Sequence, residues 1–188
     1  MLPLHPQICF QVMMDEKFVI GLDGLKAGRS RFEGVADGKF FGDFENSEIL
    51  DAGLDVSVDV DKSGSGIGVD CFVKGTVTVA CDRCLADLIL PLETAFRLKV
   101  RFGADDGAAE EDGAEVVVLP DRETALDLGQ ILYDYVCTAL PLVRVHEDGA
   151  CDPEVVKYLG VNAAEPAPAE AEESQNPFAS LKTLLEKK

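Results

Sequence analysis

Residues 69–102, VDCFVKGTVTVACDRCLADLILPLETAFRLKVRF, decide the fold of this chain. On both sides of the central CDRC, apolar side chains alternate with polar ones, and this period of two is typical of β-strands. Because consecutive antiparallel strands usually pair, the two strands are predicted to form a hairpin with Cys81 and Cys84 at or near its end. The side chains predicted to share one face are Val69, Cys71, Val73, Val77 and Val79 in the first strand, and Phe96, Leu98, Val100 and Phe102 in the second.

The same alternation continues upstream of this hairpin. Leu54, Val56, Val58 and Val60 are separated by aspartate and serine, which predicts another strand with one apolar and one wet face. The flexible SGSG at 63–66 supplies a turn to the next strand. Still further upstream, two short strands are predicted, at 29–35 (RSRFEGV) and 39–44 (KFFGDF). Asp37-Gly38 between them is a strong signal for a hairpin turn.

Helical spacing replaces the alternation in the second half of the chain. Apolar residues from Leu128 to Ala139 recur at helical intervals, which predicts a helix over 127–139 that ends before Pro141. Asp127 and Gln130 resemble a capping box at its start. A short strand is predicted at 116–119 and a short helix from Pro153 to Leu159.

These elements predict an α+β fold, with a twisted antiparallel sheet or partly closed barrel covered by the 127–139 helix and followed by short C-terminal helices. Residues 1–17 are predicted to be an N-terminal extension, and 18–160 a single domain with an exposed acidic loop at 103–115. Residues 161–175 are rich in Ala, Glu and Pro, which predicts a disordered acidic linker. Residues 176–188 are predicted to form a helical docking segment that binds a partner; the alternative is that this short helix packs back on its own domain.

The formal net charge of the 188-residue chain is −18 at pH 7. Proteins that bind nucleic acid over a broad electrostatic surface do so with many Lys and Arg residues, so this class is excluded, and whether RNA is contacted directly stays open. The acidic field favours a basic protein partner, although it also serves solubility alone. Neither a signal peptide nor a membrane span is evident, and we expect a cytoplasmic protein that does not contact membranes.

Cys81-x-x-Cys84 at a β-turn is one half of many zinc sites, because two intervening residues let both thiolates reach one ion. The best candidates for the other half are His146 and Cys151, which lie in a polar stretch with Gly149 to permit a turn. The predicted ligand set for a structural zinc is therefore Cys81, Cys84, His146 and Cys151. Cys71 and Cys137 lie on predicted apolar faces and Cys9 and His5 in uncertain segments; none of these four is expected to bind metal.

Two alternatives to the metal site stay open at this point. Cysteine is often buried as a small hydrophobic residue, so the pair can be purely structural. A thiol oxidoreductase using Cys81 and Cys84 is the other alternative, but that chemistry favours a Cys-x-x-Cys that opens a helix, and here Pro91 and Thr94 disfavour one. No other catalytic motif is present, so the protein is predicted to be neither an enzyme nor a binder of a small-molecule substrate.

Three motifs in order resemble those of the bacterial YceD-like family, the large ribosomal RNA subunit accumulation proteins. They are CDRCL at 81–85, LPLVRVH at 140–146 followed by Cys151, and NPFASL at 176–181; the resemblance covers roughly residues 18 to 188.

This resemblance implies a non-catalytic ribosome-biogenesis factor that supports accumulation of large-subunit ribosomal RNA by binding a ribosomal protein or a pre-ribosomal particle. The candidate partner-binding residues are Asn176, Pro177, Phe178 and Leu181. The alternative is a zinc-stabilised module that binds another protein in an unrelated process.

Overall fold

Strands dominate the architecture of the protein. A computed structural model describes residues 11–14, 18–45, 47–63, 66–103, 110–111 and 113–159. The strands are β1 (Gln11–Met13), β2 (Val19–Gly21), β3 (Gly28–Asp37), β4 (Ile49–Ser63), β5 (Gly66–Ala80), β6 (Asp87–Phe102), β7 (Glu110–Glu111), β8 (Ala114–Leu119) and β9 (Ala125–Asp127), and the helices are α1 (Gly38–Gly42), α2 (Gly129–Ala139) and α3 (Pro153–Tyr158).

Seven of the described strands form one sheet in the order β1-β3-β4-β5-β6-β8-β7, and the other two, β2 and β9, pair antiparallel. Each of the central strands β3 to β6 pairs antiparallel with the next. The β4–β5 and β5–β6 pairs are hairpins, as the sequence predicts, whereas β3 and β4 are connected through α1. The outer pairings β1–β3 and β6–β8 are parallel, so the sheet is mixed. The predicted α+β class is confirmed, and of the two expected forms the sheet takes the open one, since the order of described strands ends at β1 and β7.

The core lies on one face of the central strands. The predicted alternation holds in β4, β5 and β6, where the apolar positions are buried and the intervening ones face outward. Burying each such side chain stabilises the fold by about 1.5–3 kcal/mol. At the end of β6, Phe102 is in phase with Phe96, Leu98 and Val100, as predicted, but its side chain is 42% exposed. On the outer face, cross-strand ion pairs such as Arg31–Asp59 and Arg97–Asp70 balance charge locally.

A second layer contributes further buried residues to this core. Helix α2 supplies Leu132 and Val136, and the ring of its Tyr135 stacks on Phe96 of β6 with centroids 4.2 Å apart. The expected covering helix is therefore present. The small sheet adds Ile20 and Leu126, both about 1% exposed, which the sequence pattern did not single out.

The predicted strand at 39–44 is wrong, because residues 38–42 form α1. The Asp37 carboxylate accepts a hydrogen bond from the Phe40 backbone N–H at 3.0 Å, which makes Asp37 the N-cap of a helix and not the first residue of a turn. One turn of helix buries both Phe40 and Phe41, whereas a strand would place these neighbours on opposite faces.

The predicted capping box of α2 is also wrong. Asp127 belongs to β9, and its carboxylate accepts a hydrogen bond from the Gly129 N–H at 2.8 Å, while the Gln130 amide donates to Asp134. The helix still ends at Ala139, just before Pro141, as predicted.

The acidic segment 103–115 contains more structure than a loop. Glu110–Glu111 pair antiparallel with the start of β8, which in turn runs parallel to β6. Residues 104–109 and 112 lie outside the described part. The predicted strand at 116–119 is confirmed as part of β8.

The chain divides into two compact units, Met1–Cys151 and Asp152–Lys188. In the second unit the predicted short helix is confirmed as α3, whose first turn is capped by the Asp152 carboxylate accepting from the Glu154 N–H at 2.9 Å. The linker and docking segment predicted for 161–188 lie outside the described residues, as does most of the predicted extension at 1–17. None of the described helices is long and apolar enough to cross a membrane.

Candidate metal centre

Cys81 and Cys84 lie in the turn at the end of the β5–β6 hairpin, as the sequence predicts. The last ladder pair of the hairpin is Ala80–Asp87. Beyond it, the Cys81 N–H donates to the Ala86 carbonyl and the Leu85 N–H donates to the Cys81 carbonyl, both at 2.9 Å. Leu85 has φ 60°, a left-handed conformation that turns the chain back into β6. This tight turn directs both cysteine side chains to one side.

The segment after α2 is held against this hairpin end by main-chain hydrogen bonds. The Asp82 N–H donates to the Arg144 carbonyl, and the Arg144 N–H donates to the Asp82 carboxylate, each at 2.7 Å. Two residues later comes His146, and a turn from Glu147 to Ala150, with Gly149 at φ 83°, brings the chain back to Cys151. The predicted role of Gly149 in this turn is confirmed.

The four predicted ligand residues lie together. Their ligand atoms, one from each of Cys81, Cys84, His146 and Cys151, are all within 4.8 Å of one another. The three cysteines are buried, and His146 is partly exposed. All four members of this cluster were predicted from the sequence, although they come from two segments more than 60 residues apart.

Three of the distances between donor atoms are close to those expected in a tetrahedral zinc site. Sulfur ligands at about 2.3 Å from a tetrahedral ion lie about 3.8 Å from each other, and about 3.5 Å from a nitrogen ligand. Here the Cys81 and Cys151 Sγ atoms are 3.9 Å apart, and Nδ1 of His146 lies 3.4 Å from Cys84 Sγ and 3.8 Å from Cys151 Sγ. Three thiols and one imidazole are also an established donor set for structural zinc. The cluster is compatible with a structural metal such as zinc.

The tautomer of His146 is fixed by its second nitrogen. Nε2 lies 3.1 Å from the carbonyl oxygen of Asp87, which can only accept, so Nε2 carries the proton and donates it. Nδ1 is then left with a lone pair directed at the three sulfur atoms. Metal-binding histidines almost always have such an outer hydrogen bond, which orients the ring and raises its basicity.

Electrostatics at the centre favour the thiolate form of Cys81. Burial by itself raises the pKa of this thiol, but hydrogen bonds from the backbone N–H groups of Cys84, Arg83 and His146, and a weaker one from the Cys84 side chain, outweigh it and lower the pKa to about 6. Backbone donors aimed at a sulfur atom stabilise a metal-bound thiolate in the same way. The hairpin turn therefore supplies both the ligands and the donors that hold their negative charge.

Sequence reasoning missed the residues that brace the centre. Arg83 Nη1 lies 3.9 Å from Cys151 Sγ, and Arg144 Nη1 donates to Glu48 Oε2 at 2.6 Å, which ties the segment after α2 to the residue before β4. Asp82 and Arg83 occupy the two positions between the cysteines, and Arg144 lies two residues before His146. Their positions beside the ligand residues in the sequence are the signal that could have identified them.

The remaining described cysteines lie elsewhere. Cys71 is buried in β5, where burial raises its pKa to about 12, and Cys137 is half-buried in α2. The interpretation of Cys71 as a core residue is confirmed. Cys9 and His5 lie outside the described residues.

A search of curated proteins and a search of solved structures found no match to this chain. The family model described as Large ribosomal RNA subunit accumulation protein YceD matches residues 69–185. This range is more than half of the chain and contains all four members of the cluster, but it begins later than the resemblance at residue 18 suggested. The chain belongs to the YceD family of large ribosomal RNA subunit accumulation proteins.

Proposed function

We propose that this protein is a non-catalytic ribosome-biogenesis factor that supports accumulation of large-subunit ribosomal RNA by binding a ribosomal protein or a pre-ribosomal particle. The observation that carries the proposal is the family match over residues 69–185, which includes the hairpin end and the segment bound to it. The proposal places the protein in the cytoplasm, where thiols stay reduced; the five described cysteines are all free.

The cluster of Cys81, Cys84, His146 and Cys151 has a structural role in this proposal. A bound zinc would supply a cross-link between the β5–β6 hairpin and the segment after α2. The described residues contain no disulfide that could do the same. The cluster has no open position for a substrate, since four protein donors complete a tetrahedral shell. This arrangement supports a binding protein in which the metal stabilises a surface.

The charge of the chain supports a basic protein partner. A net charge of −18 repels bare RNA and attracts the basic proteins that coat ribosomal RNA. The segment Asn176, Pro177, Phe178 and Leu181 is retained as a second docking element on sequence grounds, because its apolar side chains recur at helical spacing beyond the predicted linker. It lies outside the described residues.

A thiol oxidoreductase is the alternative that the low pKa of Cys81 favours. Two observations weigh against it. Cys81 is 0% exposed, so a disulfide substrate cannot reach its sulfur, and the Cys-x-x-Cys lies between two strands and does not begin a helix. Turnover of a small disulfide substrate at a rate that Cys81→Ser abolishes would favour the oxidoreductase.

The proposal is tested by depletion and rescue. Depleting the protein from growing cells should lower the ratio of large-subunit to small-subunit ribosomal RNA, and the wild-type chain should restore it. Cys84→Ser should restore it poorly, whereas Cys137→Ser, which alters a cysteine outside the cluster, should restore it fully. An unchanged ratio after depletion, or failure of the wild-type chain to sediment with precursor particles, would assign the protein to another process.

A further inference from the structure

Five large apolar side chains project into solvent around the end of the molecule that carries the cluster. They range from 56% exposed for Leu50 to 100% for Leu142, and we call them the apolar rim: Leu50, Leu85, Ile89, Leu142 and Val143. Single exposed apolar side chains are common on protein surfaces, but a local group of them marks an interaction site. The described part of the chain has eleven exposed large apolar side chains, so nearly half are concentrated here.

Hydrogen bonds and strand register bring the members of the rim to one place. Ile89 pairs with Thr78, and Leu50 lies at the bulge where β4 meets the same part of β5. Two strand spacings separate β4 from β6, which is about 10 Å. Leu85 occupies the hairpin turn between the two strands.

The other two members are fixed to the same end by their neighbour. Leu142 and Val143 directly precede Arg144, whose main chain is hydrogen-bonded in both directions to Asp82 and whose side chain binds Glu48. The rim is therefore built from three distant parts of the chain and held in place before any partner arrives. Such pre-organisation lowers the entropy cost of binding.

The charge around the rim selects the chemistry of its partner. Residues 48–51, 81–89 and 142–150 carry six acidic side chains and two basic ones. Arg83 contacts Cys151, and Arg144 pairs with Glu48 and Asp82, so the excess negative charge around the rim comes from the other four acidic side chains. The acidic side chains are Glu48, Asp51, Asp82, Asp87, Glu147 and Asp148.

We infer that the apolar rim is the docking surface for a basic protein segment that carries its own apolar side chains, such as a ribosomal protein presents. This inference rests on the proposed function and specifies where the partner binds. Apolar contacts at the rim supply the affinity, and the surrounding carboxylates supply orientation and a fast, salt-sensitive encounter. Bare RNA is repelled by the same carboxylates.

The test uses the full chain and a defined probe, the proteins of the large ribosomal subunit extracted free of RNA. Leu142→Ser/Val143→Ser should weaken binding by about tenfold or more, because two exposed anchors are lost. Val35→Ser is the matched control: Val35 is 56% exposed on β3, away from the rim, and its variant should bind within about twofold of wild type. Both variants should keep their fold and metal content, since neither alters a buried residue.

A photo-crosslinking residue at position 142 identifies the occupant directly. It should capture a basic large-subunit protein, and the same residue at position 72, on the outer face of the sheet, should not. Capture of RNA, of the chain itself or of a second copy at position 142 overturns the inference, as does normal binding by the double variant. If the wild-type chain binds none of the large-subunit proteins, the inference fails, and the proposed function fails with it only if the chain also does not sediment with precursor particles. If the wild-type chain and the double variant bind equally well, the inference fails and the proposed function stands.

Discussion

Cys81 and Cys151 are 70 positions apart in the chain, yet their Sγ atoms lie 3.9 Å apart at the end of the β5–β6 hairpin. This contact closes a long loop, and forming it costs conformational entropy that the interactions at the hairpin end must offset. A metal held between these sulfur atoms would make that connection part of the folding free energy.

Removing Cys151 should destabilise the protein far more than removing a cysteine outside the cluster. Cys151→Ser should lower the free energy of unfolding by about 4 kcal/mol or more, which is typical of a lost metal site. The melting temperature would fall by roughly 8–16 °C for a chain of this length. The control is Cys137→Ser, whose melting temperature, measured by calorimetry, should differ from that of wild type by no more than a few degrees. A strong chelator should lower the melting temperature of wild type to that of Cys151→Ser. A melting curve that the chelator leaves unchanged would refute a structural metal.

The imidazole of His146 should be replaceable by a thiol but not by a methyl group. His146→Cys keeps four donors and should retain metal, because both one-histidine and all-cysteine sets bind zinc. His146→Ala should weaken metal affinity by more than about 100-fold, since loss of an outer partner alone costs about 10- to 100-fold. Competition with a chromophoric chelator measures both variants. Equal affinities for His146→Ala and wild type would remove this residue from the ligand set.

In the metal-free protein, Cys81 should ionise near pH 6. Its pKa lies below its ordinary value of 9.0, because three backbone N–H groups stabilise the thiolate more than burial opposes it. A depressed pKa means that the thiolate contributes stability above pH 9, and that this contribution is lost as pH falls through about 6.

Ultraviolet absorbance of the thiolate follows this titration. The transition should disappear in Cys81→Ser, while Cys71, whose pKa is about 12, stays protonated throughout. A first thiolate that forms only near the ordinary cysteine pKa of 9.0 would contradict the hydrogen-bonding pattern at the turn.

The β4–β5 pairing should depend on a glycine that the sequence does not mark. A Cβ atom at position 75 would overlap the backbone carbonyl of Gly53 on the neighbouring strand, and the main chain cannot move away cheaply. Gly75→Ala should therefore cost about 2 kcal/mol or more in unfolding free energy. Gly68 lies in the same strand with open space around it, so Gly68→Ala should be close to neutral in a denaturant titration. Similar midpoints for the two variants would show that the strands can separate to admit the methyl group.

The sequence predicted the elements whose signal is periodic. Val56, Val58 and Val60 alternate without interruption, and period two has one structural meaning over that length. The four members of the cluster were also predictable, because the chemistry of a metal site restricts both residue type and local spacing. The pairing of distant segments cannot be predicted from local spacing. For example, neither the sequence of β6 nor that of β8 indicates that these strands pair in parallel.

Where local signals are shared by two structures, the prediction failed. Asp37-Gly38 is equally suited to a hairpin turn and to the start of a helix, and only the burial of both Phe40 and Phe41 decides between them. Similarly, β2 and β9 have three residues each, too few for a pattern, and pair across more than 100 positions. The apolar rim could not be predicted either, because its members come from three separate segments of the chain.

Binding of one zinc ion by Cys81, Cys84, His146 and Cys151 can be measured by X-ray absorption at the zinc edge of the purified full chain. The spectrum should show one zinc per chain with three sulfur atoms at about 2.3 Å and one nitrogen atom at about 2.0–2.1 Å. Absence of stoichiometric zinc after purification without chelators, or a first shell made of oxygen atoms, would contradict zinc binding by the cluster.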